Sequence, residues 1–134
     1  MAGTMSILVR EMTLADYDKV YELWMSIQGF GIRSIDDSRE GVQRFLKRNP
    51  TTSVVAEQNG RIVGAILCGH DGRTGFFYHV CVASDYRQHG VGHRMVHFAM
   101  KALQAEGINK VSLIAFTSGE HPPLRYGESS YKGD

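Results

Sequence analysis

The stretch Val80-Cys81-Val82-Ala83-Ser84-Asp85-Tyr86-Arg87-Gln88-His89-Gly90-Val91-Gly92 decides how this chain is read. Its first residues are apolar and largely β-branched, as in a strand. Its last residues open a helix. Glycines at 90 and 92 let the backbone of the intervening loop approach a ligand closely. A loop feeding a helix N-terminus also points N–H groups outward, and the helix dipole adds partial positive charge. Together these features predict an anion site suited to a pyrophosphate. A P-loop needs GxxxxGK[ST], and no Lys-Ser/Thr follows here. A dinucleotide fingerprint needs GxGxxG, and Met95 occupies the third glycine position. What remains is R-x-x-G-x-G, over Arg87, Gly90 and Gly92.

Toward the C-terminus, a helix is expected from about Gly90 to Glu106. Its inner face is Val91, Met95, Phe98, Ala99, Ala102 and Leu103, and its outer face is His93, His97, Lys101 and Gln104. Gly107 suits the left-handed residue that ends a helix. Lys110 to Ala115 reads as a strand. Strand, helix, strand implies a right-handed crossover with parallel pairing. Toward the N-terminus, three apolar runs form an antiparallel meander: Ser53 to Gln58, Arg61 to Gly69 and Thr74 to Val82. Asn59-Gly60 between the first two is a type I′ turn signal. Two helices precede them. One starts at Thr13, which caps with Asp16, and buries Leu14, Tyr17, Val20, Tyr21, Trp24 and Ile27. It ends at Gly29-Phe30-Gly31. The other is capped by Ser38, carries Val42, Phe45 and Leu46, and stops at Asn49-Pro50. Ile7-Leu8-Val9 is the first strand. The tail from Gly119 to Asp134 has no helical or strand period and reads as irregular.

Composition is that of one ordinary domain: 134 residues, 43% hydrophobic, 22% charged, net charge +1. Such a balance supplies no field that would gather nucleic acid. No apolar run approaches the roughly 18 residues of a membrane span. Cys68 and Cys81 form no CxxC pair, and His93 and His97 have no HExxH context, so neither a disulfide framework nor a metal site is expected. The expected compartment is the cytoplasm.

The hexad and its setting resemble the acetyl-CoA motif of the GNAT family of N-acetyltransferases. The opening VREMTLADYDKVYELW (9–24) resembles that family's first strand and helix, and YHVCVASDYR (78–87) its strand-to-loop sequence. The resemblance spans about residues 7 to 117. It implies an α/β fold, a mixed α+β sheet in the order β-α-α-β-β-β-α-β, over a domain of residues 1–118 followed by the 119–134 tail. It implies that acetyl-CoA is the cofactor and that a primary amine, of a small molecule or a peptide, is the acceptor. By position, Arg87, Gln88, His89, Gly90, Val91 and Gly92 would hold the pyrophosphate. Val80, Cys81 and Val82 would meet the pantetheine and acetyl end through their main chain, where their strand splays from the next. Cys81 itself reads as a buried small hydrophobe.

Some family members use a glutamate base on the third meander strand. That position is Phe76 here, so His79 and Tyr78 are the nearest ionisable candidates, with a water relay equally compatible. The loop Phe30 to Asp37 usually shapes the acceptor site, and its Phe30, Ile32, Asp36 and Asp37 hint at a cationic acceptor, although solvated loop acids are the commoner case. The family's C-terminal motif, near N-x-x-A-x-x-F-Y-x-x-x-G-F, does not follow Ser118. Relative to the family the C-terminus is therefore atypical or truncated. Three expectations follow: weak transfer, a homodimer covering the open edge of the last strand, and, as the alternative function, a CoA-binding domain with impaired catalysis.

Overall fold

A computed structural model describes residues 6–27, 35–114 and 129–130. The expected helix stop at 29–31, the loop residues Phe30 and Ile32, the strand end at Ala115, and the tail apart from 129–130 lie outside the described residues. The elements are β1 (Leu8–Glu11), α1 (Tyr17–Ser26), α2 (Arg39–Arg48), β2 (Val54–Gln58), β3 (Arg61–His70), β4 (Thr74–Val82), α3 (Val91–Ala105), β5 (Lys110–Ile114) and β6 (Ser129–Ser130). They build one sheet in the order β1-β2-β3-β4-β5-β6. Only β4 and β5 run parallel, joined by α3. This is the mixed α/β sheet that the pattern of periods implies.

Local chemistry sets the element ends. Asn59 and Gly60 take φ of 51° and 81°, the left-handed pair a type I′ turn requires. The Ser38 hydroxyl accepts from the Gly41 N–H at 3.1 Å and caps α2. Asp16 accepts from the Thr13 N–H at 2.9 Å, so the chain turns there. The first turn, Leu14–Asp16, is a 3₁₀ turn, and α1 begins only at Tyr17. Gly107 takes φ of +85° and ends α3, with Ile108 N–H reaching back to the Leu103 carbonyl at 3.0 Å.

Two helical faces differ from expectation. In α1 the buried residues are Tyr17, Val20, Leu23 and Trp24, while Tyr21 is exposed. The stripe therefore lies over Leu23 rather than Tyr21. In α3 Met100 is buried, whereas Phe98 and Ala102 are only half-buried. The tail also departs from wholly irregular: Ser129 and Ser130 pair antiparallel with Val111 and Lys110. Two residues of the β5 edge are thus covered by the chain itself. Among the described residues no helix is long and apolar enough to cross a membrane.

The sheet separates α3 from α1 and α2. A Cβ on Gly64 or Gly75 would press on Met95 or Leu103 of α3, at 2.8 and 2.7 Å. One on Gly69 would meet Asn49 and Phe45 at the α2 end, 2.6 and 2.9 Å away. Glycine is what permits this layer spacing.

Candidate active site

The site begins with a fault in β4. Leu67 pairs with Tyr78 and Ala65 with Cys81, so His79 and Val80 together oppose Ile66. That is a β-bulge. It puts His79 at φ +55°, a conformation unusual for any residue but glycine. It also changes faces. Gly75 faces α3, and seven residues later the Val82 side chain also lies on the α3 side, 3.7 Å from where a Gly92 Cβ would stand. In an uninterrupted strand, positions an odd number apart point to opposite faces. The bulge absorbs the difference.

Before the bulge, Tyr78 meets the Phe45 ring of α2 at 5.8 Å. Burial pushes its hydroxyl above the ordinary value of 10.0, so at neutral pH it is a proton donor, not an acceptor. Phe76 stacks loosely on Tyr78 at 6.5 Å. The His79 ring packs edge-on against Trp24 at 5.0 Å. Its Nε2 lies 2.8 Å from Asp37 Oδ1. The Tyr17 hydroxyl donates to the Asp37 carbonyl at 2.7 Å. Asp37 is therefore not a solvated loop acid, since only 8% of it is exposed. The Trp24 N–H is buried without a hydrogen-bond partner among the described residues, a cost its packing must offset.

The bulge lies just past the last described parallel pair. The register runs from Thr74↔Lys110 to Tyr78↔Ile114. Among the described residues Val80 and Val82 have no partner on β5. Cys81 offers backbone only: its thiol is buried, points at the Ala65 carbonyl at 3.8 Å, and is pushed up to about 12 by burial. It is no nucleophile.

Beyond β4 the chain turns through Ser84–Tyr86 into the glycine loop. Gln88 and Gly90 take φ of +68° and +80°. Alternation of this kind turns successive N–H groups to one side, the geometry that receives an anion. Gly90 is the N-cap of α3, and the first helical bond runs from the Arg94 N–H to the Gly90 carbonyl at 3.1 Å. The four N–H groups before Arg94 have no acceptor within the helix. Among the described residues no side chain caps them, and no acid stands in the first turn. Among the described residues, and apart from its chain neighbours and the helix backbone, no atom lies within 4 Å of a Cβ on Gly90. Arg87, Gln88 and His89 are exposed, and the Arg87 guanidinium is anchored by donating to the Val82 carbonyl at 3.2 Å. These residues suit a pyrophosphate: open donors, positive partial charge and a cation at the rim.

The loop is braced from behind. Arg61 forks onto Asp85 at 3.2 and 3.3 Å and lies 5.3 Å above the Tyr86 ring, and the Tyr86 hydroxyl donates to Gln58. The end of the β2–β3 hairpin thus sets where the loop begins. A hollow of about 420 Å³ lies beside this brace, between α1 and the hairpin, lined by Lys19, Glu22, Leu23, Ser26, Gly60, Arg61 and Ile62. It includes no residue of the β4 bulge or the glycine loop. Among the described residues there is no cluster able to hold a metal.

The structure therefore brings His79 and Tyr78 to the α1/α2 side of β4. It sets 87–92 at the head of α3, one short turn past the strand's end. Sequence reasoning missed the pairing of His79 with Asp37. The two are 42 positions apart, and no periodicity links them.

Comparison with known proteins identifies the family and the fold. The chain is 32% identical over 99 residues to an acetyltransferase of Pectobacterium atrosepticum, covering 74% of this chain and 69% of that one. Its fold matches the PaiA N-acetyltransferase of Thermoplasma acidophilum, solved with coenzyme A, at a TM-score of 0.68 and 17% identity, over 83% of this chain and 80% of that one. It matches the diaminobutyrate acetyltransferase EctA of Paenibacillus lautus, solved with its substrate and coenzyme A, at 0.67 and 23% identity, over 84% and 67%. The acetyltransferase (GNAT) family model matches residues 17–124, and the chain belongs to that family of acetyl-CoA-dependent enzymes.

Proposed function

We propose that this protein binds acetyl-CoA with its pyrophosphate on the amides of residues 87–92, and passes the acetyl group to a primary amine of a small molecule or a peptide. The observation that carries this reading is the α3 N-terminus: left-handed Gln88 and Gly90, uncapped N–H groups, and no acid in the first turn. The thioester end would follow β4 past the bulge, against the main chain of Val80, Cys81 and Val82. Acetyl transfer needs the amine placed, a proton removed and the oxyanion stabilised. His79 is the proton acceptor in this reading. Tyr78, kept protonated by burial, is a donor within the same aromatic patch.

Calorimetry with CoA tests the cofactor site. At φ +80° a β-branched residue is strained, so Gly90→Val should weaken CoA binding by roughly tenfold or more, the equivalent of about 1–2 kcal/mol of left-handed strain. A Gly90→Val protein that melts like wild type and binds CoA as tightly would sink the assignment. A homodimer through the β5 edge belongs to the same reading. Among the described residues only Lys110 and Val111 of that edge have a partner strand, and exposed edges recruit other chains. Sedimentation showing only monomer at micromolar concentration would remove it.

A further inference from the structure

His79 is strained, and strain of this kind survives only where the surroundings over-determine it. Those surroundings are specific. Trp24 supports the ring edge-on at 5.0 Å. Asp37 is held in place from three directions. The Tyr17 hydroxyl grips its carbonyl at 2.7 Å. The turn before α2 is closed by the Ser38 hydroxyl donating to the Ile35 carbonyl at 2.7 Å. The Asp37 carboxylate itself ends 2.8 Å from His79 Nε2. A carboxylate this far from water is costly unless a donor meets it. The imidazole Nε2–H is such a donor, and accepting that proton determines the tautomer: the lone pair is then on Nδ1.

We propose that Asp37 is the positioning residue of the transfer reaction, holding His79 as the Nε2–H tautomer and stabilising the imidazolium that forms when Nδ1 takes the amine proton. This rests on the acetyl-transfer reading above. In the step, the amine nitrogen bonds to the thioester carbonyl carbon, and the C–S bond breaks with its electron pair leaving on sulfur. The amine proton passes to Nδ1, and the thiolate takes up one proton as His79 returns one to solvent. Asp37 exchanges no proton. It supplies charge and aim, as the acid of any His–acid dyad does.

Asp37→Asn keeps an acceptor oxygen of the same shape and removes the charge. With wild type turning over in a thiol-release assay against an amine panel, Asp37→Asn should lower kcat by about 10–100-fold. The KM for acetyl-CoA should stay within about twofold, because the cofactor loop is untouched. The double variant with His79→Ala should be no slower than His79→Ala alone, since Asp37 acts only through that ring. Nitrogen-15 NMR of the wild-type imidazoles should show His79 protonated at Nε2 when neutral. Three results overturn the inference and leave the acetyl-transfer reading standing: Asp37→Asn at the wild-type rate, a double variant slowed by the product of the two single losses, or the opposite tautomer. A wild-type protein that neither binds CoA nor acetylates any amine overturns both.

Discussion

His70 reaches Glu106 at 2.6 Å and His79 reaches Asp37 at 2.8 Å, with 20% and 21% of the two histidine side chains exposed. Neither distance nor burial of the ring tells these pairs apart. Their surroundings do. His70 ends β3, where its Nδ1 accepts from the Gly72 N–H at 3.0 Å, so its neutral ring carries the proton on Nε2 and gives it to Glu106. The second Glu106 oxygen takes the Thr51 hydroxyl at 2.7 Å. Both ring nitrogens and both carboxylate oxygens are used within the protein. The result is a strap across the β3–β4 turn, the start of the α2–β2 connection and the end of α3. His79 instead sits on a bulge at φ +55° with a buried acid behind it. A histidine–acid pair does not by itself mark a site. The two pairs differ in backbone: the left-handed position of His79 costs about 1–3 kcal/mol, and His70 carries no such strain.

The largest expected effect separates the two pairs by turnover. His79→Ala should lower kcat about a hundredfold or more, the usual worth of a general base. His70→Ala should leave kcat within about twofold. Thiol release under saturating acetyl-CoA measures both. Equal losses, or an unaffected His79→Ala, would erase the distinction.

The second effect runs the other way. His70→Ala removes two hydrogen bonds at a half-exposed strap, and partly hydrated bonds of this kind contribute about 1 kcal/mol net. A thermal melt should therefore show a midpoint lower by roughly 3–5 °C in a domain of this size. A melt identical to wild type would mean that the strap holds nothing.

Much of the fold could be read along the chain because its signals are local. Asn59-Gly60 forces positive φ whatever surrounds it, Ser38 caps within three residues, and the meander strands are short apolar runs bounded by turns. The glycine loop was legible for the same reason: Gly90 and the uncapped helix start are adjacent in sequence. The His79–Asp37 pair was not, because its contact spans 42 positions and depends on a bulge that no residue type announces. Without that bulge His79 would alternate away from Tyr78, and a strict period-2 count places it so. Tyr21 was misjudged for a related reason. Tyr21 and Leu23 both fit a helical stripe, and only the packing of α1 on β3 decides between them. The tail pairing at Ser129–Ser130 carries no apolar pattern at all, since the strand is two serines.

The smallest effect is one of pH, and it isolates the strap. The His70 hydrogen bond, then the Thr51 hydroxyl, hold the Glu106 carboxyl below its ordinary value of 4.5, against a small opposing effect of burial. The folded chain therefore binds that proton less readily than the unfolded chain. A group with a lowered folded value adds stability above its unfolded value, and loses it as pH falls through the lowered one. The Glu106 side chain is 36% exposed, so water screens the interaction, and its worth at neutral pH is at most about 1 kcal/mol. Glu106→Gln mimics the protonated acid at every pH. Urea midpoints of wild type and Glu106→Gln should differ at pH 7 and converge as pH falls below about 4.5. Turnover of Glu106→Gln at pH 7 should match wild type, in contrast to Asp37→Asn. A stability gap that persists unchanged at pH 3 would show that the ionised carboxylate is not what the strap depends on.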